Sequence, residues 1–475
     1  MLTLFPGERP EYPETMPDDG DFVCFGLRRG AAWGTVTARL RWKRHELLSS
    51  TRFPAGDLDG PPEAVYHVVQ HALKMAFYKA GVRLLGQEPP WGALTGVRPV
   101  KLPTRAMKAG ATPDQARRQL EREYHVSPRR AQLAVDCAQA SLAVDRTLGE
   151  RETSLYIGIP FCPTRCAYCS FVSADVGRTM KLVEPYVKAL LEELDYTGQM
   201  MKQAGLTIRS LYVGGGTPTT LSAEELDVLL TRAKAVLPLE HCIEYTVEAG
   251  RPDTITLEKL QVLARHGVGR ISINPQTLED EVLRTIGRRH SAQDIRDSFR
   301  LARQVGFECI NMDLIAGLPR DSFQGFRRSL EGVLELGPEN VTVHTLALKK
   351  GSHLMEQGGS IPSGDEVARM LEFSLDTLRD RKYLPYYLYR QKYMSGSLEN
   401  VGWTKPGLES IYNIIMMEEL QTVVSVGGGG VTKLVDTRAG KLLRLPNPKY
   451  PHDYLAMQDK VLAQKKEIGA FYAGK

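Results

Sequence analysis

The sequence contains no apolar run long enough to cross a bilayer as a helix, so a membrane span is not expected. Cysteine is scarce. Seven in 475 residues, an odd number, do not make a disulfide framework, and thiols that cluster in so long a chain point to metal or catalysis. Neither sign of charge dominates: 61 basic against 56 acidic residues leave +5. That surplus is too mild to argue for nucleic acid, yet it suits an anionic small substrate. Repeats and low-complexity tracts are also lacking, and the opening MLTLFPGERPEYPE lacks the basic start, apolar middle and small-residue exit of a signal peptide. The expected location is cytoplasmic. A composition of 42% hydrophobic and 25% charged residues is that of a globular protein, and the length calls for two or three domains.

Along the chain, residues 1–150 read as an N-terminal α+β domain. A strand-like run covers 21–27, helical stretches cover 64–80 and 113–123, and WGALTGVRPVKLPTR (91–105) reads as a loop punctuated by Gly and Pro. Arg98, Lys101 and Arg105 on it could clamp carboxylates. From residue 151 to 350 short apolar runs alternate with amphipathic stretches: strands at 154–159, 209–215, 242–249, 269–275, 307–315 and 340–347, each feeding a helix. Such alternation calls for parallel strands with right-handed crossovers, and six units imply a partial, open (βα)6 barrel in an α/β protein. Its active site belongs beyond the carboxyl ends of the strands. Residues 351–475 read as a C-terminal α+β region, with helices over 365–381 and 453–467. Tyr383, Tyr386, Tyr387 and Tyr389 form an exposed aromatic cluster or, if buried, a piece of core.

The loop after the first barrel strand carries Cys162, Cys166 and Cys169 in the spacing C-x3-C-x2-C. Three thiolates on one short loop can wrap an iron–sulfur cube and leave one iron open for a ligand. A structural zinc site would show a fourth Cys or His at zinc-finger spacing, and none is near. A redox pair of Cys166 and Cys169 would leave Cys162 unexplained. Cys24, Cys137, Cys242 and Cys309 sit in apolar runs and read as core.

This motif resembles that of the radical S-adenosylmethionine (SAM) superfamily. YIGIPFC (156–162), GGGTPTTL (214–221) and INMDLIAGLP (310–319) narrow the resemblance to the branch of oxygen-independent coproporphyrinogen III dehydrogenase. That branch also holds a haem-transferring chaperone and methyl-transferring enzymes. LTGVRP and YRQKYMSGSLENVGW (389–403) are similar to the long-chain subtype of the dehydrogenase.

The resemblance implies a [4Fe–4S] cluster on Cys162, Cys166 and Cys169, and SAM, in two copies, at Tyr156, Tyr168, Gly215, Gly216, Thr217, Glu248, Gln276, Arg288, Asp313 and Ala347. Among these, Gly215 and Glu248 face the first SAM, and Ala347 packs against it. Gly216, Thr217, Gln276, Arg288 and Asp313 face the second. It also implies a porphyrinogen substrate, an electron donor such as flavodoxin or ferredoxin, and conversion of two propionates to vinyls with loss of CO₂. Arg98, Lys101, Arg105 and Arg390 are candidate partners for the substrate's carboxylates. Phe171 stands where the short dehydrogenases carry a fourth cysteine and where the chaperones carry Phe, whereas the chaperones lack the N-terminal domain. A haem chaperone and a radical SAM methyltransferase are the alternative readings.

Overall fold

A computed structural model describes residues 4–5, 8, 11–12, 20–169, 174–347, 361–391 and 398–473. Phe171 lies outside the described residues. The chain divides into two compact units, Met1–Val135 with Gly396–Leu398, and Asp136–Ser395 with Glu399–Lys475.

In the first unit, β1 (Phe22–Arg29), β2 (Trp33–Trp42) and β3 (His45–Pro54) form an antiparallel sheet. Alternation along β2 turns Val36, Ala38 and Leu40 inward. Val36 and Ala38 pack with Phe53 against Ala72 and Ala76 of the helix Pro62–Leu85. Cys24 is exposed, not core, because it lies on the outer strand of this sheet. The stretch 91–105 is not all loop either. Its last residues start the helix Lys101–Lys108, with Pro103 in the first turn, where its missing N–H leaves no helical bond unmade. Lys101 and Arg105 therefore stand one turn apart on a helix.

The second unit is built on one sheet of eleven strands. Its centre is six parallel strands in chain order: β4 (Glu152–Ile159), β5 (Thr207–Gly215), β6 (Glu244–Glu248), β7 (Arg270–Ser272), β8 (Cys309–Ala316) and β9 (Asn340–Thr345). Leu155, Ile157, Ile159, Leu211 and Val213 are fully buried, as strands covered on both faces require. The helices Val183–Gln203, Ala223–Val236, Leu257–Arg265, Ala292–Val305, Phe323–Leu336 and Gly364–Asp380 follow the strands in turn. Ser222 with Glu225 and Ser291 with Asp294 form capping boxes that start two of them.

Residues after 351 extend the same sheet at both ends. β10 (Leu384–Arg390) and β11 (Glu399–Thr404) add antiparallel strands beside β9. β12 (Val423–Gly427) runs parallel to β4, followed by the hairpin of β13 (Val431–Asp436) and β14 (Lys441–Pro446). β10 and β14 end the row, so among the described residues the sheet is open and no barrel closes. Tyr383, Tyr386 and Tyr387 are buried rather than exposed: Tyr386 and Tyr387 pack with Ile414 and Leu420, and Tyr389 is half-buried. Arg390 is buried opposite Glu399 in the β10–β11 pair. The last helical stretch is two helices, Pro451–Ala456 and Gln458–Ala473.

Behind β4 a buried polar network anchors the strand end that carries the site. Glu193 pairs with Lys465 at 2.8 Å, and it also accepts from the Gly427 amide (2.7 Å) and Asn447 (2.8 Å). Such saturation is what lets a fully desolvated ion pair persist. Tyr186 donates to Gly158 O at 2.7 Å and accepts from the Gly428 amide at 2.6 Å, joining β4 to the turn after β12.

Candidate active site

The chain leaves β4 into the cysteine loop, and backbone bonds pin it on both sides. The Thr217 amide donates to Phe161 O (2.7 Å), the Gly216 amide to Ile159 O (2.8 Å) and the Ala167 amide to Ile286 O (3.0 Å). Cys162, Cys166 and Cys169 all line one cavity of about 440 Å³ at the carboxyl ends of the parallel strands. Among the described residues no three His, Cys, Asp or Glu side chains are grouped to hold a single metal ion. An iron–sulfur cube does not ask for that, because each thiolate takes a different iron.

Gly215 and Gly216 bring backbone to this cavity. Gly215 has φ +122°, a region that L side chains rarely adopt, and an added Cβ would stand 2.8 Å from Ile159 O. At Gly216 an added Cβ would press on Phe161 O and stand 2.9 Å from Cys162 Sγ. Only glycine lets the backbone pack this closely against the end of β4 and the cysteine loop. Thr217 lies beside it, its Oγ1 3.5 Å from Cys162 Sγ.

The other expected residues line the same cavity. Tyr156 of β4 stacks on Tyr212 of β5, which stacks on Tyr412 with ring centroids 4.5 Å apart. Tyr212 donates to Glu248 Oε1 at 2.6 Å. Burial pushes the Glu248 carboxyl up to about 7, against the pull of Tyr212 and the Gly215 amide. Gln276 has a left-handed backbone (φ +67°), because its amide and carbonyl bridge to Asp313 O and the Ile315 amide, both at 2.9 Å. Its side-chain Oε1 is buried without a hydrogen-bond partner. Such strain and such an orphaned acceptor are typical of a ligand contact.

Arg288 is buried and donates to Gly250 O (3.3 Å), Asn274 O (3.2 Å) and Tyr168 Oη (3.0 Å), while its Nε has no partner. Burial opposes its charge, but Tyr168 and Cys166 raise its pKa on balance. Asp313 accepts from Asn311 at 2.8 Å and lies 3.7 Å from His344 Nε2. Burial pushes its carboxyl up, and His344 and Asn311 more than offset that, holding it below the usual range. Ala347 is on the wall.

Some lining residues were not anticipated from sequence: Tyr212, Arg251, Asn274, His344, Asn400 and Tyr412. Tyr212 and His344 could have been found from strand alternation, since each lies on the inward side near a strand end. Asn400 and Tyr412 come from beyond residue 351. Arg98, Lys101 and Arg105 belong to the first unit, whereas the described residues that line the cavity belong to the second.

A [4Fe–4S] cluster and SAM fit these side chains. The loop offers three thiols to one cavity, and Gln276 and Arg288 carry buried atoms without partners. Residues 156–331 match the radical SAM superfamily. Open sheet, cysteine loop and strand-end cavity together define a protein of that class, which implies the cluster and SAM. Over 369 residues, 77% of this chain and 74% of the relative, the sequence is 42% identical to the oxygen-independent coproporphyrinogen-III oxidase-like protein HemZ of Bacillus subtilis. It is 32% identical to the haem chaperone HemW of Lactococcus lactis, over 67% of this chain and 80% of that protein. The crystal structure of the Escherichia coli coproporphyrinogen III oxidase HemN shares the fold, with a TM-score of 0.54 and 24% identity over 68% of this chain and 72% of that one. The chain belongs to the radical SAM family of oxygen-independent coproporphyrinogen III oxidase-like proteins.

Proposed function

We propose that the protein catalyses the oxygen-independent oxidative decarboxylation of coproporphyrinogen III to protoporphyrinogen IX, a step of haem biosynthesis. The observation that carries this reading is one cavity that joins the three thiols to a set of buried polar side chains. When bound, the cluster and SAM supply a 5′-deoxyadenosyl radical able to take hydrogen from a propionate β-carbon.

The chain's own residues bind, orient and exclude water. Cys162, Cys166 and Cys169 hold the cluster. Gly215 admits the aminoacyl end of a first SAM to the backbone, and Glu248 accepts from it. The stacked Tyr156, Tyr212 and Tyr412 wall one side with rings that leave little room for water. Gln276, Arg288 and Asp313, with Gly216 and Thr217, hold a second SAM, for which Gln276 Oε1 and Arg288 Nε stand ready. Tyr168 keeps the Arg288 fork in place. The electron donor is a small redox protein of the flavodoxin or ferredoxin type, and the setting is the cytoplasm. No helix among the described residues is long and apolar enough to cross a membrane.

The test is anaerobic incubation with coproporphyrinogen III, SAM and reductant. Release of CO₂ and appearance of vinyl-bearing product support the reading. Haem binding and transfer without CO₂ release would assign the chain to the chaperones, and a methylated product to the methyltransferases.

A further inference from the structure

We propose that Arg251 sets the reduction potential of the cluster, with Asp253 opposing it from the solvent side. This rests on ligation of the cluster by Cys162, Cys166 and Cys169. Arg251 follows β6, and its side chain is only 3% exposed. Its Nη1 donates to Thr164 O (3.0 Å) and Thr164 Oγ1 (2.8 Å) and stands 4.0 Å from Cys166 Sγ. Its Nε and Nη2 form a two-pronged pair with Asp253 at 2.9 and 2.8 Å. One guanidinium thus faces a ligand thiol on one side and a carboxylate on the other.

The two partners are not equally desolvated. The Asp253 side chain is 23% exposed and lines a separate surface hollow together with His290, Arg289 and Asp294. Solvent screens the carboxylate more than the buried guanidinium, so a net positive field remains at the thiolate. Arg288 also faces Cys166, but it donates to two carbonyls and to Tyr168, and no carboxylate pairs with it among the described residues. Arg251 joins the cluster loop to a carboxylate.

Hydrogen bonds and charge at the sulfur ligands are among the factors that set cluster potentials. Reduction adds one electron, supplied by a one-electron reductant, and one negative charge to the cluster. A fixed cation beside Cys166 therefore favours the reduced form, and a carboxylate behind that cation disfavours it. The two charges must act with opposite signs. A merely structural role for Arg251, holding the loop through Thr164, predicts no such opposition.

The test is a dithionite titration of anaerobically reconstituted full-length protein, followed by electron paramagnetic resonance. Arg251→Gln should shift the oxidised-to-reduced ratio at least tenfold toward oxidised, a drop of about 59 mV for a one-electron couple. Asp253→Asn should raise the potential, and Arg251→Lys should fall between wild type and Arg251→Gln. A full cluster with unchanged potential in Arg251→Gln overturns the proposal. If that variant assembles no cluster, Asp253→Asn decides: a higher potential supports the proposal, and an unchanged or lower one overturns it. Absence of a cluster from the wild-type protein would instead sink the ligand assignment on which this rests.

Discussion

Replacing Glu248 by Gln should change how stability depends on pH, by an amount that the structure sets. The carboxyl sits between Tyr212, the Gly215 amide and the like charge of Asp313, and burial raises its pKa to about 7 from the ordinary 4.5. In the unfolded chain the group loses its proton near the ordinary value, whereas in the folded chain it keeps the proton to about 7. Its contribution to stability is therefore fully present below the unfolded value and is lost as pH rises through the folded one.

A shift of this size corresponds to about 3 kcal/mol, taken over the window from about 4.5 to about 7. Gln has the shape of the protonated acid, still accepts from Tyr212 and does not ionise. The variant should match wild type at pH 4 and exceed it in stability at pH 8, in the protein without cofactors. Thermal unfolding of both proteins across that range, read as the difference between them, isolates this one group from others such as Asp321, whose carboxyl burial pushes up to about 6. Parallel curves for the two proteins would show that Glu248 is already ionised when folded, and the burial argument would fall.

Reconstituted wild type should hold about four irons per chain, and Ala at Cys162, Cys166 or Cys169 should abolish this while Cys242→Ala does not; a full iron count in the Cys166 variant would refute the assignment. Gly216→Ala should lose cluster or SAM binding, because its Cβ would press on Phe161 O and on Cys162 Sγ, and overpacking of this kind typically costs about 1–3 kcal/mol. Normal absorbance and normal SAM affinity in that variant would show that this close packing is not needed. Arg288→Ala should keep cluster and first-SAM binding but lose decarboxylation, seen as uncoupled 5′-deoxyadenosine formation, with Lys a poor replacement because it offers a point charge instead of a fork. Wild-type turnover would make Arg288 a packing residue only.

Local patterns in the sequence determined what local physics controls. The helices Ala223–Val236, Ala292–Val305 and Phe323–Leu336 follow strands as the alternation calls for, and each starts behind a Ser cap, a purely local signal. The six central strands follow from short apolar runs that only a sheet covered on both faces can bury. The C-x3-C-x2-C spacing and the Gly-rich run were legible because each concentrates its chemistry in a few adjacent residues.

What depends on residues distant in sequence waited for the tertiary structure. Which edge of the sheet the strands after residue 351 join is decided by long-range pairing, so the burial of Tyr386 and Tyr387 and the inward face of Arg390 were not readable from a Tyr-rich run. Pro103 reads as a breaker in sequence, yet it is harmless in the first turn of a helix. Arg251 carried no local signal, being a single cation after a strand. Its contacts with Thr164 and Cys166, 87 and 85 residues away in sequence, exist only because parallel strands bring their carboxyl ends together.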